Sequence, residues 1–313
     1  MSGPKAIGEA PGKVLLFGEH AVVYGEPALG MAISRRVRAE LLPGTGRLQL
    51  HLPRGPDLEV SRTTRASPEA LIQKALGPLR THVDVTLDLG VPPMRGLGSS
   101  AAVAVALLRA RAAWMGEPEP GPRKLIEDAL AIETVAHARP SGVDPAICAH
   151  GVLIRFVTRQ DRRSVRRLRM NKPVFFIVGS VGSHGGTARS VSRIAELKKT
   201  DRALMRSAMT TLGEATRAGE RGLLNHDLER VGRAMDLAHG VLRGLGLVSA
   251  GVDKAIEIAR EAGGLGAKMS GAGGDGGAFI ALFSSETKAR RVARQLVQKM
   301  GNTAANAWVE RLG

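Results

Sequence analysis

The stretch that decides the fold lies near the start of the chain and reads Glu9-Ala10-Pro11-Gly12-Lys13-Val14-Leu15-Leu16-Phe17-Gly18-Glu19-His20-Ala21-Val22-Val23-Tyr24-Gly25. Its centre, residues 13–17, is a short apolar run between two glycines, which predicts a buried strand. Lys13 would begin this strand, with Glu19 and His20 just past its end. A lysine there could neutralise charge at a reacting hydroxyl group. Taken alone, a surface Lys13 and a structural His20 are the simpler interpretation.

A second segment, Gly96-Leu97-Gly98-Ser99-Ser100-Ala101-Ala102, joins a glycine loop to an apolar helix predicted from Ser99 to about residue 114. Glycines let the backbone approach a ligand closely. The free N–H groups and the dipole at a helix N-terminus favour an anion. A serine hydroxyl there could also ligate the Mg²⁺ that accompanies ATP. An ordinary turn with Ser99 as N-cap fits this segment equally well. The Walker and dinucleotide patterns are absent, so a phosphate site here would follow another design.

Two further segments carry candidate groups. Lys268-Met269-Ser270-Gly271-Ala272-Gly273-Gly274-Asp275-Gly276-Gly277 precedes a predicted strand at 278–283, and so many glycines indicate close approach to a ligand or, more simply, a flexible turn. Glu133 lies on a helix predicted at 122–138, and Ser141-Gly142-Val143-Asp144 forms the predicted turn after it. Phosphoryl transfer needs metal ligands, positive charge and a group that orients the nucleophile. Two carboxylates at these places could supply a ligand and the orienting group, although alone they are a weak signal.

The remaining pattern predicts an α+β protein. Strands are expected at 28–42, 83–89, 151–157, 173–179 and 307–309, and helices at 187–199, 201–219, 225–243, 249–262 and 285–300. A basic loop is expected between the strands at 151–157 and 173–179. The pattern becomes mainly helical after this loop. We therefore expect two lobes, residues 1–168 and 169–313.

Composition narrows the class of protein. The single cysteine, Cys148, excludes a disulfide framework within the chain, and no apolar run reaches the roughly 18 residues of a membrane helix. The N-terminus lacks a signal-like apolar stretch, so we expect a cytoplasmic protein without membrane contact. The net charge is +16. The arginines of the chain are scattered along the sequence, and few aromatic residues accompany them. We therefore expect the arginines to lie on solvated surfaces and not in a nucleic-acid interface.

Taken together, the four segments resemble the GHMP kinases, and among these the mevalonate kinases. Residues 9–25 (the first motif) are similar to the first motif of that family over their whole length. Pro93–Ala102 (the second motif) resembles the ATP-binding motif, and Lys268–Gly277 (the third motif) resembles the third. Arg139-Pro140-Ser141-Gly142-Val143-Asp144 is similar to the loop with the catalytic aspartate. Glu133 precedes Asp144 by eleven residues, like the family's metal-ligating glutamate.

The resemblance implies a two-lobed GHMP kinase fold, with an N-terminal lobe like ribosomal protein S5 domain 2, a ferredoxin-like C-terminal lobe and ATP in the cleft between them. It implies ATP-dependent phosphorylation of (R)-mevalonate to 5-phosphomevalonate, and a homodimer is possible. Asp144 and Lys13 would be catalytic, and Ser100 and Glu133 would bind Mg²⁺. The nucleotide would contact Pro93, Arg95, Gly96, Leu97, Gly98, Ser99, Ser100 and Ala101. Mevalonate would contact Glu19, His20, Gly271, Ala272 and Thr187, the last within Gly185-Gly186-Thr187-Ala188-Arg189.

The chain departs from the family pattern at two places. Met94-Arg95 occupies a stretch where the family has a further glycine, which predicts a stiffer loop in which Arg95 itself reaches a phosphate. Asp275 replaces a glycine of the third motif, and its carboxylate would repel polyphosphate unless it points away. Three other interpretations stay open: a phosphomevalonate, homoserine or sugar kinase, an RNA-binding module, and a catalytically inactive relative.

Overall fold

The computed structural model describes residues 5–51, 58–59, 68–134, 141–159, 162–182, 187–301 and 306–313. The chain divides into two compact units. The first unit comprises Met1–Lys13, Ala32–Pro93 and Leu97–Val152, and the second comprises Val14–Met31, Met94–Gly96 and Leu153–Gly313. The predicted division into residues 1–168 and 169–313 stays a prediction.

The first unit contains most of a mixed sheet. Its strands are β1 (Ala6–Phe17), β2 (Ala28–Pro43), β3 (Leu48–His51), β4 (Leu58–Glu59) and β5 (Val83–Leu89), and both β1 and β2 continue into the second unit. The order is β4-β3-β5-β2, with β1 also beside β2. β5 is antiparallel to β2, from Val37 opposite Leu89 to Pro43 opposite Val83, and parallel to β3. Alternate residues of β5 are buried, as its sequence pattern predicts.

Four helices of the first unit pack together, and α2 is the central one. They are α1 (Pro68–Leu76), α2 (Ser99–Met115), α3 (Pro122–Glu133) and α4 (Val143–His150), and α2 contacts the other three. Ten apolar residues of α2, between Ala101 and Ala112, are buried, so the first part of the helix is covered, whereas Arg111, Ala113 and Met115 near its end are exposed. A short 3₁₀ helix, Gly77–Thr81, follows α1. The helix predicted at 122–138 ends at Glu133, with Thr134 as its C-cap, and residues 135–140 lie outside the described part.

The second unit contains a four-stranded antiparallel sheet. Its strands are β8 (Val174–Val181), β9 (Gly266–Ser270), β10 (Gly277–Phe283) and β11 (Asn306–Leu312), in the order β11-β8-β10-β9. The register pairs Gly277 with Val181 and Ala278 with Ser270. Every residue of β9 and β10 is buried. The third motif therefore begins inside a covered strand and not in a loop.

The helices of the second unit are α5 (Thr187–Thr200), α6 (Arg202–Leu224), α7 (Leu228–Gly244), α8 (Ala250–Glu261) and α9 (Glu286–Met300). The last three cover this sheet, and α6 packs on α7. α7 and α8 pack on β9, while α9 packs on β11. The side chains of Asp201, Asp227, Ser249 and Ser285 each accept a hydrogen bond from a backbone N–H at a helix start, which stabilises the predicted boundaries.

The expected basic loop is wrong, because part of it forms a further strand that pairs with the strand expected at 151–157. β6 (Ile154–Arg159) pairs with residues 28–30 of β2 and with β7 (Arg162–Arg167), which is the edge strand. β7 is mostly exposed and carries four arginines, so it lacks the apolar alternation by which a strand is recognised. Charged side chains are well tolerated at a sheet edge, where they also oppose pairing with other chains. Glu220 of α6 pairs with Arg155 and Arg166.

The expected turn at 141–144 is also wrong beyond its first two residues. Gly142, at φ 86°, precedes α4, and Asp144 lies in the first helical turn. This helix has only eight residues and is mostly buried, so it carries little amphipathic signal. β3, β4, α1 and β9 were likewise not predicted. Among the described residues, no helix is long and apolar enough to cross a membrane.

Candidate functional site

Lys13 is held in the first unit by its backbone and by a close neighbour. Its N–H donates to the carbonyl oxygen of Leu97, with 2.9 Å between N and O. Gly98, at φ 72°, lies so close that a Cβ atom there would be 2.5 Å from Cγ of Lys13. Only glycine fits this position, both because of its left-handed backbone and because the lysine side chain occupies the space. The second motif thus forms one wall around a lysine that is 3% exposed.

The Lys13 ammonium group pairs with Asp144. Nζ of Lys13 lies 2.9 Å from Oδ2 of Asp144, and the aspartate side chain is 32% exposed. Asp144 stands in the first turn of α4, where the helix dipole favours a negative charge. The two residues that the resemblance implied as catalytic therefore form an ion pair. Since the carboxylate stays partly open while the lysine is covered, a small hydroxyl compound can reach Asp144 without displacing Lys13.

Ser100 and Glu133 meet beside this pair. Ser100, in the first turn of α2, donates its hydroxyl to Oε1 of Glu133 at the end of α3, with 3.3 Å between the oxygens. Burial and then the negative charge of Asp144 raise the pKa of Glu133 to about 8, against the opposing effects of the Ser100 hydrogen bond and the Lys13 charge. The carboxyl group is thus mostly protonated at neutral pH unless a cation replaces its proton.

This arrangement fits Mg²⁺. Hydroxyl and carboxylate oxygens are the ligands that this hard cation prefers, and a buried carboxylate with a raised pKa lacks a neutralising charge. The described residues hold no group of three or more His, Cys, Asp or Glu side chains that could bind a metal. Proteins commonly bind Mg²⁺ with one or two carboxylates and complete its shell with substrate phosphates and water. Ser100 and Glu133 could therefore hold the metal only together with such a substrate.

The start of α2 is open to an anion. Gly98 occupies the N-cap position and no side chain caps the helix, so Ser99 is the first helical residue and not the N-cap. The N–H groups of the first turn thus lack a side-chain acceptor. Ala101 is buried behind them and Leu97 is also buried, which leaves Ser99 and Ser100 as the polar side chains of this turn.

The loop before α2 contains Met94 and Arg95, where the chain departs from the family pattern. Pro93 and Met94 are exposed, and Met94 has a strained φ of 54°. Nη1 of Arg95 is buried and has no hydrogen-bond partner within the described part of the chain. A buried donor on a guanidinium group is costly without an acceptor. Arg95 is therefore well suited to bind an anion that enters this loop.

Glu19 and His20 lie in the second unit, against the third motif. Nζ of Lys268 binds Oε1 of Glu19, and both side chains are fully buried. The Nε2 atom of His20 lies 2.9 Å from the carbonyl oxygen of Ala272. Burial lowers the pKa of His20, so its ring is neutral at physiological pH. Gly271, at φ 92°, lies close to the carbonyl of Gly96.

The structure brings the predicted residues together in two sets. Within the first unit Lys13, Ser100, Glu133 and Asp144 form one cluster, and within the second unit Glu19, His20, Gly271 and Ala272 form another. Thr187 begins α5, but its side chain lies outside the described residues, as do Arg139, Pro140, Gly185 and Gly186 entirely. Sequence reasoning assigned no role to Lys268 or Ser270. Their alternation along a strand was the signal that could have identified them.

Comparison with known proteins relates the whole chain to one group of enzymes. Residues 65–152 match the model described as "GHMP kinases N terminal domain", and residues 220–303 match "GHMP kinases C terminal". The mevalonate kinase of Methanothermobacter thermautotrophicus is 32% identical over 282 residues, covering 88% of this chain and 90% of that protein. The mevalonate kinase of Pyrococcus furiosus is 31% identical and covers 92% of each.

A solved structure is also similar over nearly the whole length of the chain. The L. major mevalonate kinase in complex with R-mevalonate superposes with a TM-score of 0.81 and 24% identity, covering 100% of this chain and 98% of that one. At this level of identity the similarity establishes the fold, which is the GHMP kinase fold that the sequence predicted.

Proposed function

Because the chain belongs to the mevalonate kinase family of the GHMP kinases, we propose that it transfers the γ-phosphoryl group of ATP to the 5-hydroxyl group of (R)-mevalonate. The products are 5-phosphomevalonate and ADP, at an early step of isoprenoid biosynthesis. One observation carries the chemistry: a covered lysine, Lys13, is paired with a partly open aspartate, Asp144, next to the carboxyl group of Glu133.

Asp144 and Lys13 act on the acceptor hydroxyl group. Asp144 orients the hydroxyl and accepts its proton as the oxygen attacks the γ-phosphorus atom, and the bond between that phosphorus and the bridging oxygen of ADP breaks. Lys13 stabilises the negative charge that develops on the attacking oxygen. Its covered side chain keeps water away from the ammonium group, which strengthens this interaction. Neither residue forms a covalent intermediate.

Ser100 and Glu133 would hold Mg²⁺, and the start of α2 holds the phosphates. The metal would offset the negative charge of the phosphates. The residues of the second motif, from Pro93 to Ala101, surround the nucleotide, and the open N–H groups at the start of α2 bind phosphate oxygens. The Arg95 side chain adds a positive charge from the preceding loop.

Glu19, His20, Gly271 and Ala272 form the acceptor end of the proposed site, together with Thr187. The first two belong to the motif that is most similar to the mevalonate kinases, and the contact between His20 and Ala272 joins the first and third motifs. We also propose a cytoplasmic enzyme that binds no nucleic acid, and a homodimer as its assembly.

A coupled assay of ADP release over a panel of small alcohols tests the substrate. We expect turnover with mevalonate to exceed turnover with homoserine, galactose and phosphomevalonate by a wide margin. Faster turnover of any of those three would refute the assignment to mevalonate. Salt-dependent RNA binding without ATP turnover would instead favour an RNA-binding module.

A further inference from the structure

Every second residue at the start of the third motif binds the first motif. Lys268 binds the carboxylate of Glu19, Ser270 binds Leu15, and the carbonyl group of Ala272 binds His20. The side chains of Lys268 and Ser270 lie on the same face of β9, because alternate residues of a strand point to the same side, and Ala272, just past the end of the strand, contributes a backbone carbonyl group. All of them join residues of the second unit that are about 250 positions apart in sequence.

The Ser270 contact ties the two backbones together. The hydroxyl group accepts a hydrogen bond from the N–H of Leu15, at 2.9 Å, and donates one to the carbonyl oxygen of the same residue, at 3.0 Å. Leu15 belongs to β1 and Ser270 ends β9. This link determines where the end of β1 lies, and the Gly18–His20 turn follows directly from that end.

The ammonium group of Lys268 binds other groups of the protein and not a ligand. Its side chain is fully buried, and Nζ binds both Oε1 of Glu19 and the carbonyl oxygen of Met269, the latter at 2.6 Å. A phosphate group cannot reach an ammonium group with no exposed surface. The charge of Lys268 instead balances that of Glu19, whose second oxygen, Oε2, is buried with no hydrogen-bond partner among the described residues.

The turn that Glu19 helps to hold is strained. His20 has φ 57° and ψ −41°, a conformation that residues other than glycine rarely adopt and that persists only where surrounding contacts impose it. Two contacts do so: Glu19 is anchored by Lys268 on one side, and the imidazole is anchored by Ala272 on the other. Because a carbonyl oxygen only accepts, Nε2 of the neutral ring carries the hydrogen, and Nδ1 is left as an acceptor.

We propose that Lys268 is a positioning residue for the acceptor substrate, because it holds Glu19 and thereby keeps His20 in the orientation that presents Nδ1 to a hydroxyl group of that substrate. This inference rests on the proposed function in placing Glu19 and His20 at the acceptor end. It assigns the first half of the third motif to the acceptor alcohol, whereas the nucleotide is bound by the second motif.

The test measures KM for the acceptor and for ATP separately, using whichever alcohol of the panel the wild-type enzyme phosphorylates best. In Lys268→Met, we expect KM for the acceptor to rise about tenfold or more and KM for ATP to stay within about twofold, since one lost hydrogen bond to a substrate is worth roughly that factor. Glu19→Gln should raise the same constant. We expect the double variant Lys268→Met/Glu19→Gln to fold even where Lys268→Met alone does not, because it removes both charges and leaves no unpaired buried charge.

Asp236→Asn is the matched control. The Asp236 carboxylate accepts a hydrogen bond from the N–H of Ala267 and pairs with Arg260, so it supports β9 one residue away from Lys268. We expect its KM for the acceptor to be unchanged.

The outcomes separate the two proposals. Losses in the Lys268 and Glu19 variants that are far from additive support positioning through Glu19. Additive losses, a rise in KM for ATP instead, or an equal effect in Asp236→Asn would overturn it. A wild-type enzyme that prefers another alcohol would refute mevalonate as the substrate and still leave the role of Lys268 decided by these constants.

Discussion

Among the lysine–carboxylate pairs in the described part of the chain, two have a covered lysine, and these two differ in one respect. Lys13 and Asp144, in the first unit, are 3% and 32% exposed, whereas Lys268 and Glu19, in the second unit, are both 0% exposed. The chemistry of the paired groups is the same. Only the first pair leaves its carboxylate open to a small molecule, so only this pair can exchange a proton with a substrate.

The difference in exposure shows that a lysine–carboxylate pair can serve two purposes. A fully buried ion pair gains little net stability, because removing two charges from water costs about as much as their attraction returns, but breaking it leaves an uncompensated charge. Such a pair maintains one geometry. A half-open pair keeps its lysine fixed and its carboxylate available. We therefore expect substitutions in the first pair to reduce catalysis and substitutions in the second to reduce stability and acceptor binding.

The largest expected effect is on catalysis by Asp144. Asp144→Asn should reduce kcat by about 10²–10⁴-fold, the usual contribution of a group that accepts or orients a proton, while affinity for ATP changes little. Lys13→Met should cause a similar loss. The two losses should be far from additive, because each residue needs the other to hold the hydroxyl group.

Measuring kcat, ATP affinity and melting temperature on the same variants distinguishes catalysis from a structural salt bridge. A structural bridge predicts lower melting temperatures with near-normal kcat in the folded protein. A folded Asp144→Asn enzyme within about threefold of wild type is incompatible with the proposed mechanism.

The next effect is on stability. Lys268→Met leaves the Glu19 carboxylate buried and unpaired, which should lower the free energy of unfolding by roughly 3–5 kcal/mol. Glu286→Gln is the control, since the Arg290–Glu286 pair on α9 is exposed and should contribute less than about 1 kcal/mol. Denaturant titration of both variants checks this. Equal losses would show that burial does not distinguish these pairs.

A smaller effect concerns the metal. Glu133→Gln should raise the Mg²⁺ concentration needed for half-maximal activity and lower kcat, because the amide keeps the size of the carboxylate but not its charge. The measurement is a magnesium titration at saturating ATP and acceptor. An unchanged titration would show that Glu133 is not a ligand.

The last effect is on the pH dependence of stability without ligands. The pKa of Glu133 is raised in the folded protein, from 4.5 to about 8, so the folded state binds the proton more tightly and loses stability as pH rises through this window. The loss is on the order of a few kcal/mol. Glu133→Gln should therefore gain stability relative to wild type from pH 5 to 9. A constant difference in melting temperature over that range would contradict the raised pKa.

Much of the fold could be predicted because its signals are local. The alternation in β5 and the apolar run of α2 indicated elements that the structure contains with nearly the same bounds. β7 and α4 could not be predicted in this way. The arginines of β7 obscure the alternation of a strand, and α4 is too short and too buried to show amphipathic spacing.

The sequence by itself determined the order of the motifs, the residue types of the site and the family to which the chain belongs. The tertiary structure decided how those residues are used. That Lys13 meets Asp144, that Lys268 meets Glu19, and that only one of these pairs stays open depends on packing between distant segments. The raised pKa of Glu133 likewise depends on how much water the surrounding helices exclude. Desolvation and long-range pairing are properties of the assembled chain, and no local pattern of residues encodes them.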